Sequence, residues 1–217
     1  FAWDGPDADF TPRSDDLPWC MVPEKKITPE DVKYVLSSHY QGTPYDPYAA
    51  TASERGIYRP IGVNRNDFMA LLQMRPDVPE DFRAVEWLAF AFNTMVPFYA
   101  NVDSTPEYLS NTTGDVSTDN FYWASRLLAA MADASYAKSV FHIERYTLSV
   151  GSKANGIINA YDDAQRGEAD PAARAALRTK ANEELAAMVR AETTDALNKV
   201  LFELSSGMKN AFARSDA

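Results

Sequence analysis

The side chains best suited to chemistry gather in two short stretches of this sequence. His39-Tyr40-Gln41-Gly42-Thr43-Pro44-Tyr45-Asp46-Pro47-Tyr48 sets an imidazole, several phenols and a carboxylate in one turn-rich loop. Arg59-Pro60-Ile61-Gly62-Val63-Asn64-Arg65 adds two guanidinium groups and a primary amide. Polar and aromatic groups on loops at the ends of regular elements are the material of small-molecule sites. An arginine can grip a carboxylate through two parallel hydrogen bonds. An asparagine amide can donate to an oxyanion without carrying charge. The same arginines would also serve as surface ion-pair partners in a chain with 31 Asp and Glu, and residue type alone admits both uses.

Other candidates carry less. The single cysteine lies in Pro18-Trp19-Cys20-Met21 between bulky apolar neighbours, with no nearby cation or helix start to stabilise a thiolate. It is expected to be a buried packing cysteine. His142, beside Phe141 and Ile143, reads as a packed side chain, and His39 is the better functional candidate. Gly151-Ser152-Lys153-Ala154-Asn155-Gly156 has the glycine spacing of a phosphate loop, but Ile157-Ile158 stands where Lys and Ser/Thr are required, so it fails as a nucleotide site. The acidic pairs Asp15-Asp16 and Asp162-Asp163 lack calcium-loop spacing and read as solvated surface. No metal or cofactor is expected: one cysteine and two histidines cannot build a four-ligand zinc site of cysteines, or of cysteine and histidine pairs.

The chain has 217 residues, 46% of them hydrophobic and 24% charged. That is the balance of a globular domain able to bury a sizeable core. With 21 Lys and Arg against 31 Asp and Glu, the net charge of -10 opposes binding to a polyanion, so nucleic acid is not expected as a partner. No apolar stretch approaches the roughly 20 residues of a membrane span, and no membrane association is expected. The sequence starts Phe1-Ala2-Trp3-Asp4 without Met, a basic segment or an apolar leader. The expectation is therefore a cytoplasmic protein with polypeptide preceding Phe1.

The elements that must position the two loops follow from local signals. Residues 1–26, with Pro6, Pro12, Pro18 and Pro23, read as an extended surface segment, pinned by Trp3, Phe10, Trp19 and Met21. Residues 27–116 read as the loop and β-sheet part. Thr28-Pro29-Glu30-Asp31 starts a short helix, which Gly42 and Pro44 end. Strands are expected at Ile61 to Val63, Phe68 to Met74 and Ala84 to Asn93, the last covered on both faces. Residues 117–217 read as helical. Ser117 or Thr118 caps a helix bearing Phe121, Leu128 and Met131. A further apolar face runs through Ile143, Leu148, Val150 and Ile158, with Gly151 and Gly156 explained by close packing. After Gly167-Glu168-Ala169-Asp170-Pro171 the helix restarts, with a stripe from Ala173 through Leu185, Val189 and Leu201 to Leu204. An antiparallel helical hairpin is the result.

The segments Ser37 to Tyr48, Arg59 to Arg65, Val96-Pro97-Phe98-Tyr99 and Ser117-Thr118-Asp119, in that order and spacing, resemble the PepD-like dipeptidases. These are cysteine-type exopeptidases of the N-terminal-nucleophile hydrolase superfamily, and the likeness runs from about Trp19 to about Asp163. The resemblance implies an α+β fold, the C-terminal part of an αββα sandwich with a helical hairpin at its end. It also implies hydrolysis of dipeptides by an N-terminal cysteine whose own amine is the base. Phe1 is not a nucleophile and Cys20 has no free amine beside it, so the attacking thiol is expected in an N-terminal half missing from this chain. Asn64 and Arg59 are the expected catalytic contacts, to the oxyanion and the terminal carboxylate. His39, Tyr40, Tyr45, Asp46 and Arg65 are expected to line the pocket. The expected partners are a dipeptide substrate, the missing half and further copies of the protein. The alternative is a non-catalytic association module derived from the same family.

Overall fold

The computed structural model describes residues 14–15, 19–20, 22–49, 51–91, 94–110 and 114–212. Its elements are α1 (Pro29–Leu36), β1 (Asn66–Met74), β2 (Ala84–Ala91), β3 (Val96–Tyr99), α2 (Glu107–Ser110), α3 (Phe121–Ala134), α4 (Tyr136–Gly167) and α5 (Pro171–Ser206). The class is α+β, as expected. Among the described residues there is one antiparallel sheet of three strands, in the order β1-β2-β3.

Local chemistry sets the element ends. The Thr28 hydroxyl accepts from the Asp31 amide at 3.2 Å, and the Asp31 carboxylate accepts from the Thr28 amide at 2.9 Å. This reciprocal cap satisfies two otherwise orphan donors at the start of α1. Asp170 caps α5 through the Ala172 amide, with Pro171 as first helical residue. The cap of α3 is Asn120, which accepts from the Trp123 amide at 2.8 Å, and not Ser117 or Thr118. The Ser117 hydroxyl accepts from Asp119 N instead.

Strand β2 lies at the centre of the sheet, with Leu71 and Pro97 both opposite Trp87. Val85, Trp87, Ala89 and Phe90 are buried. The central position explains the two apolar faces of its sequence; Phe92 and Asn93, the expected strand end, lie outside the described residues. Ile61 to Val63 is not a strand. The Val63 amide donates to Ile61 O and the Gly62 amide to Ser38 O at 2.7 Å, so local and α1-directed bonds consume the groups a sheet would need. The outer edge of β3 is completed by a side chain: Tyr99 N donates to Asn182 Oδ1 at 2.8 Å, and Asn182 Nδ2 donates to Tyr99 O at 2.9 Å. One amide from α5 thereby satisfies both backbone groups of an edge residue.

Helices α4 and α5 pack as the expected antiparallel hairpin. Tyr146 meets Thr193, Lys153 meets Glu192 and Tyr161 meets Glu184, the partners running in opposite order. Val150, Ala154, Leu185, Val189 and Val200 are buried along the seam. Leu148 and Leu201, expected on the apolar face, are exposed, because the seam is narrower than the apolar stripe. Close packing is also not the reason for Gly151 and Gly156, since a Cβ at either would meet nothing within 4 Å. Alanine there adds helix propensity without a clash. Gly151→Ala with Gly156→Ala is expected to raise stability by about 1–2 kcal/mol, read as a rise of several degrees in Tm; an unchanged or lower Tm would show a hidden contact.

Three further expectations are corrected. Cys20 and Trp19 are exposed, so this part of the N-terminal segment is not pinned by burial; Trp3, Phe10 and Met21 lie outside the described residues. Asp162 is buried, not solvated. It accepts from Arg75 Nη1 at 2.5 Å, Arg75 Nη2 at 3.2 Å and Tyr99 Oη at 2.7 Å. Asp163 does lie on the surface, beside Arg166. His142 is half-buried, 3.6 Å from Glu203 of α5. Among the described residues no helix is long and apolar enough to cross a membrane.

Candidate active site

The loop that follows α1 folds back on itself through its own side chains. Tyr40 and Gly42 take left-handed backbone angles, φ 62° and 75°, which for a bulky tyrosine costs free energy that surrounding contacts must offset. Those contacts are present. The Tyr40 hydroxyl donates to Arg59 O at 3.0 Å, and the Thr43 hydroxyl donates to Tyr40 O at 2.7 Å. The second loop is drawn in at Gly62. A Cβ at that position would stand 2.3 Å from the carbonyl carbon and oxygen of Ser37, so the closeness of the two loops depends on hydrogen as the side chain.

The two loops and the α3–α4 junction enclose a cleft of about 690 Å³. On its loop side His39 Nδ1 and Asp46 Oδ1 are 3.1 Å apart, and Asp46 also accepts from the Tyr48 amide at 3.0 Å. The buried carboxylate thus orients the imidazole and leaves Nε2 as the ring's remaining polar atom. The His39 ring meets Tyr48 edge-on with centroids 5.3 Å apart, and Tyr48 packs at 4.9 Å on Tyr136 of α4. Burial raises the Tyr48 phenol pKa, with the charges of Asp133 and Asp46 adding to it despite a bond to the Asn64 backbone. Burial, with Asp46 and Glu144 nearby, pushes Tyr136 up to about 12. Both phenols therefore remain protonated at neutral pH.

Asn64, whose backbone meets Tyr48, joins the loops to the α3–α4 junction by donating from Nδ2 to Asp133 Oδ1 at 2.7 Å. The carboxylate fixes which end of the amide carries the nitrogen and holds it still. Asp46, Asp133 and Glu144 bring three carboxylates to the cleft, and among the described residues no Lys or Arg lines it. Among the described residues no group of three or more His, Cys, Asp or Glu is placed to hold a metal ion.

Of the residues singled out from sequence, His39, Asp46 and Asn64 come together here. Arg65 lines a smaller neighbouring cavity. Tyr40 and Tyr45 support the loop from outside the cleft, Tyr45 packing on Tyr58 at 5.1 Å. Arg59 is exposed and offers only its carbonyl to the site, through Tyr40. Asp133, Tyr136, Glu144 and Thr147 were missed. Tyr136, Glu144 and Thr147 recur at helical spacing among apolar residues, a polar interruption of the α4 stripe that could have marked them.

The sequence of peptidase family C69 matches residues 2–149. A dipeptidase of Bifidobacterium longum is 41% identical, over 99% of this chain and 48% of its own length. A probable dipeptidase A of Streptococcus pyogenes serotype M3 is 42% identical over 94% of this chain and 44% of its own. A probable dipeptidase B of Lactococcus lactis is 37% identical over the same shares, 94% and 44%. The chain spans about half the length of the curated relatives it matches. With the family match covering most of the chain and every residue that lines the cleft, this chain belongs to peptidase family C69.

Proposed function

We propose that this chain is the C-terminal part of a cysteine-type dipeptidase, forming one wall of a cleft in which polypeptide outside the chain supplies the attacking thiol. The observation that carries this reading is the convergence of two loops resembling the dipeptidases, 37–48 and 59–65, on a single cleft. Its volume suits a dipeptide, within the range of small-ligand sites. Cys20 is exposed and is not among the residues lining that cleft.

In this mechanism an N-terminal cysteine thiol loses its proton to its own α-amine, whose pKa near 7.7–8.0 suits it to accept at neutral pH. The sulfur attacks the peptide carbonyl, and the carbonyl oxygen gains negative charge. Asn64 has two amide hydrogens. One is committed to Asp133, which leaves the other for the oxyanion with its direction already set. Collapse of the intermediate releases the C-terminal amino acid, which takes back the proton, and water then frees the acyl group. The exposed Phe68, Leu72 and Met74 of β1 fit a sheet covered in the whole enzyme by a second sheet, as in a four-layer sandwich.

The test is dipeptide hydrolysis by this chain alone and after co-expression with the N-terminal half of the enzyme. Turnover is expected in the co-expressed pair only, and Cys20→Ala should leave it unchanged. Turnover by this chain alone, abolished by Cys20→Ala, would overturn the reading.

A further inference from the structure

The Asn64–Asp133 hydrogen bond is a partition between two cavities of opposite character. Both residues line the acidic cleft described above, and both also line an adjoining cavity of about 400 Å³. Arg65 and Arg126 supply positive charge to this second cavity against one carboxylate, Asp133, and Trp123, Leu127 and Val116 supply apolar surface. The two arginines are not equivalent. Arg126 is committed, donating at 2.8 Å to both Asp67 and the Arg65 carbonyl. Arg65 is exposed and pairs with no described carboxylate, while its backbone is held by Arg126. It is a guanidinium group on a fixed anchor, one residue from the partition.

We infer that the two cavities are the two ends of one dipolar binding site: the acidic cleft takes the α-ammonium of a zwitterionic dipeptide, and Arg65 takes its α-carboxylate across the Asn64–Asp133 bridge. The inference rests on the dipeptidase reading and specifies its substrate contacts. Two residues of extended chain span roughly 7 Å, and a dipeptide with one end in each cavity carries its scissile amide across the shared wall, where Asn64 stands. Asp133 and Glu144 face the ammonium, and the rings of Tyr48 and Tyr136 border it. The C-terminal side chain lies against Trp123 and Leu127. A substrate lacking either terminal charge leaves one end of the site unmatched, so the arrangement selects dipeptides over longer peptides whose carboxylate lies farther on.

The experiment compares Ala-Leu with its C-terminal amide in the full-length protein, wild type and Arg65→Ala, measuring kcat/KM and, separately, Kd. Wild type is expected to favour the free carboxylate by about 10- to 100-fold, the worth of one charge-assisted pair. Arg65→Ala should erase that preference by weakening Ala-Leu alone, mainly through KM, and Arg65→Lys should restore part of it. An unchanged Tm confirms that the exposed position does not affect folding. Equal losses for acid and amide in Arg65→Ala, or no loss for either, would overturn the inference while leaving the dipeptidase reading intact. If wild type turns over no dipeptide, the dipeptidase reading fails instead. The Kd values still decide the contact: weaker Ala-Leu binding with unmoved amide binding supports it, and unchanged Kd for both rejects it.

Discussion

Asp162→Ala is expected to destabilise the protein by about 3–5 kcal/mol, the usual cost of removing one partner from a buried ion pair. The carboxylate stands where β1 ends, β3 ends and α4 passes. It receives two bonds from the Arg75 guanidinium and one from the Tyr99 hydroxyl, while Arg75 also donates to Phe82 O at 2.6 Å. Without the carboxylate, Arg75 retains that carbonyl but loses its counter-charge in a largely buried site where water replaces it only in part. Tyr99 keeps a weaker bond to Ile158 O at 3.2 Å. Burial and the bond to Asp162 raise the Tyr99 pKa, so the phenol remains a donor and cannot relieve the charge. Asp162→Asn should cost less than alanine, because an amide oxygen still accepts. Replacing both partners, Arg75→Met with Asp162→Leu, should cost less than Asp162→Ala alone, since no unpaired charge is left. Urea denaturation reads all three. A loss under 1 kcal/mol in Asp162→Ala would show that the network adds little.

Gly62→Ala is expected to cost about 3 kcal/mol, at the upper end for overpacking, and to open the cleft. The new methyl would lie 2.3 Å from two backbone atoms of Ser37. A side chain can rotate away from such an overlap; a backbone carbonyl at the end of α1 has no second rotamer. The two loops would have to separate, breaking the 2.7 Å bond from Gly62 N to Ser38 O and moving His39 relative to Asn64. Gly42→Ala makes the contrasting control. Its φ of 75° strains any side chain but a Cβ would meet nothing within 4 Å, so it should lose only the 1–2 kcal/mol of a left-handed residue. Thermal melts and dipeptide affinity measured together separate the two cases. Wild-type stability in Gly62→Ala would show that the loops are held apart in solution.

The loop carrying His39 and Asp46 was legible because both residues lie within ten positions, and turn chemistry brings such neighbours together whatever the rest of the chain does. Asn64 could be named as a donor by its type, but its partner Asp133 lies 69 residues away. Arg59 and Arg65 were indistinguishable as types. Both are exposed, and only the path of the chain beyond the turn sets Arg65 in the lining of a cavity. Reading Asp162 as solvated failed for a related reason: a carboxylate on a long helix is ordinarily surface, and only the approach of Arg75 and Tyr99 makes its burial favourable.

The sequence by itself determined the helix start at Thr28, the helix restart at Pro171, the two-faced central strand, the helical hairpin and the loops that build the site. Each is encoded by residues a few positions apart, so adjacency along the chain does most of the work. The tertiary structure decided which polar groups are buried, which arginine reaches a cavity and where the glycines matter. Those outcomes depend on which face of one element meets another, and the free energy of a charge or a methyl group is set by the neighbours that packing brings to it.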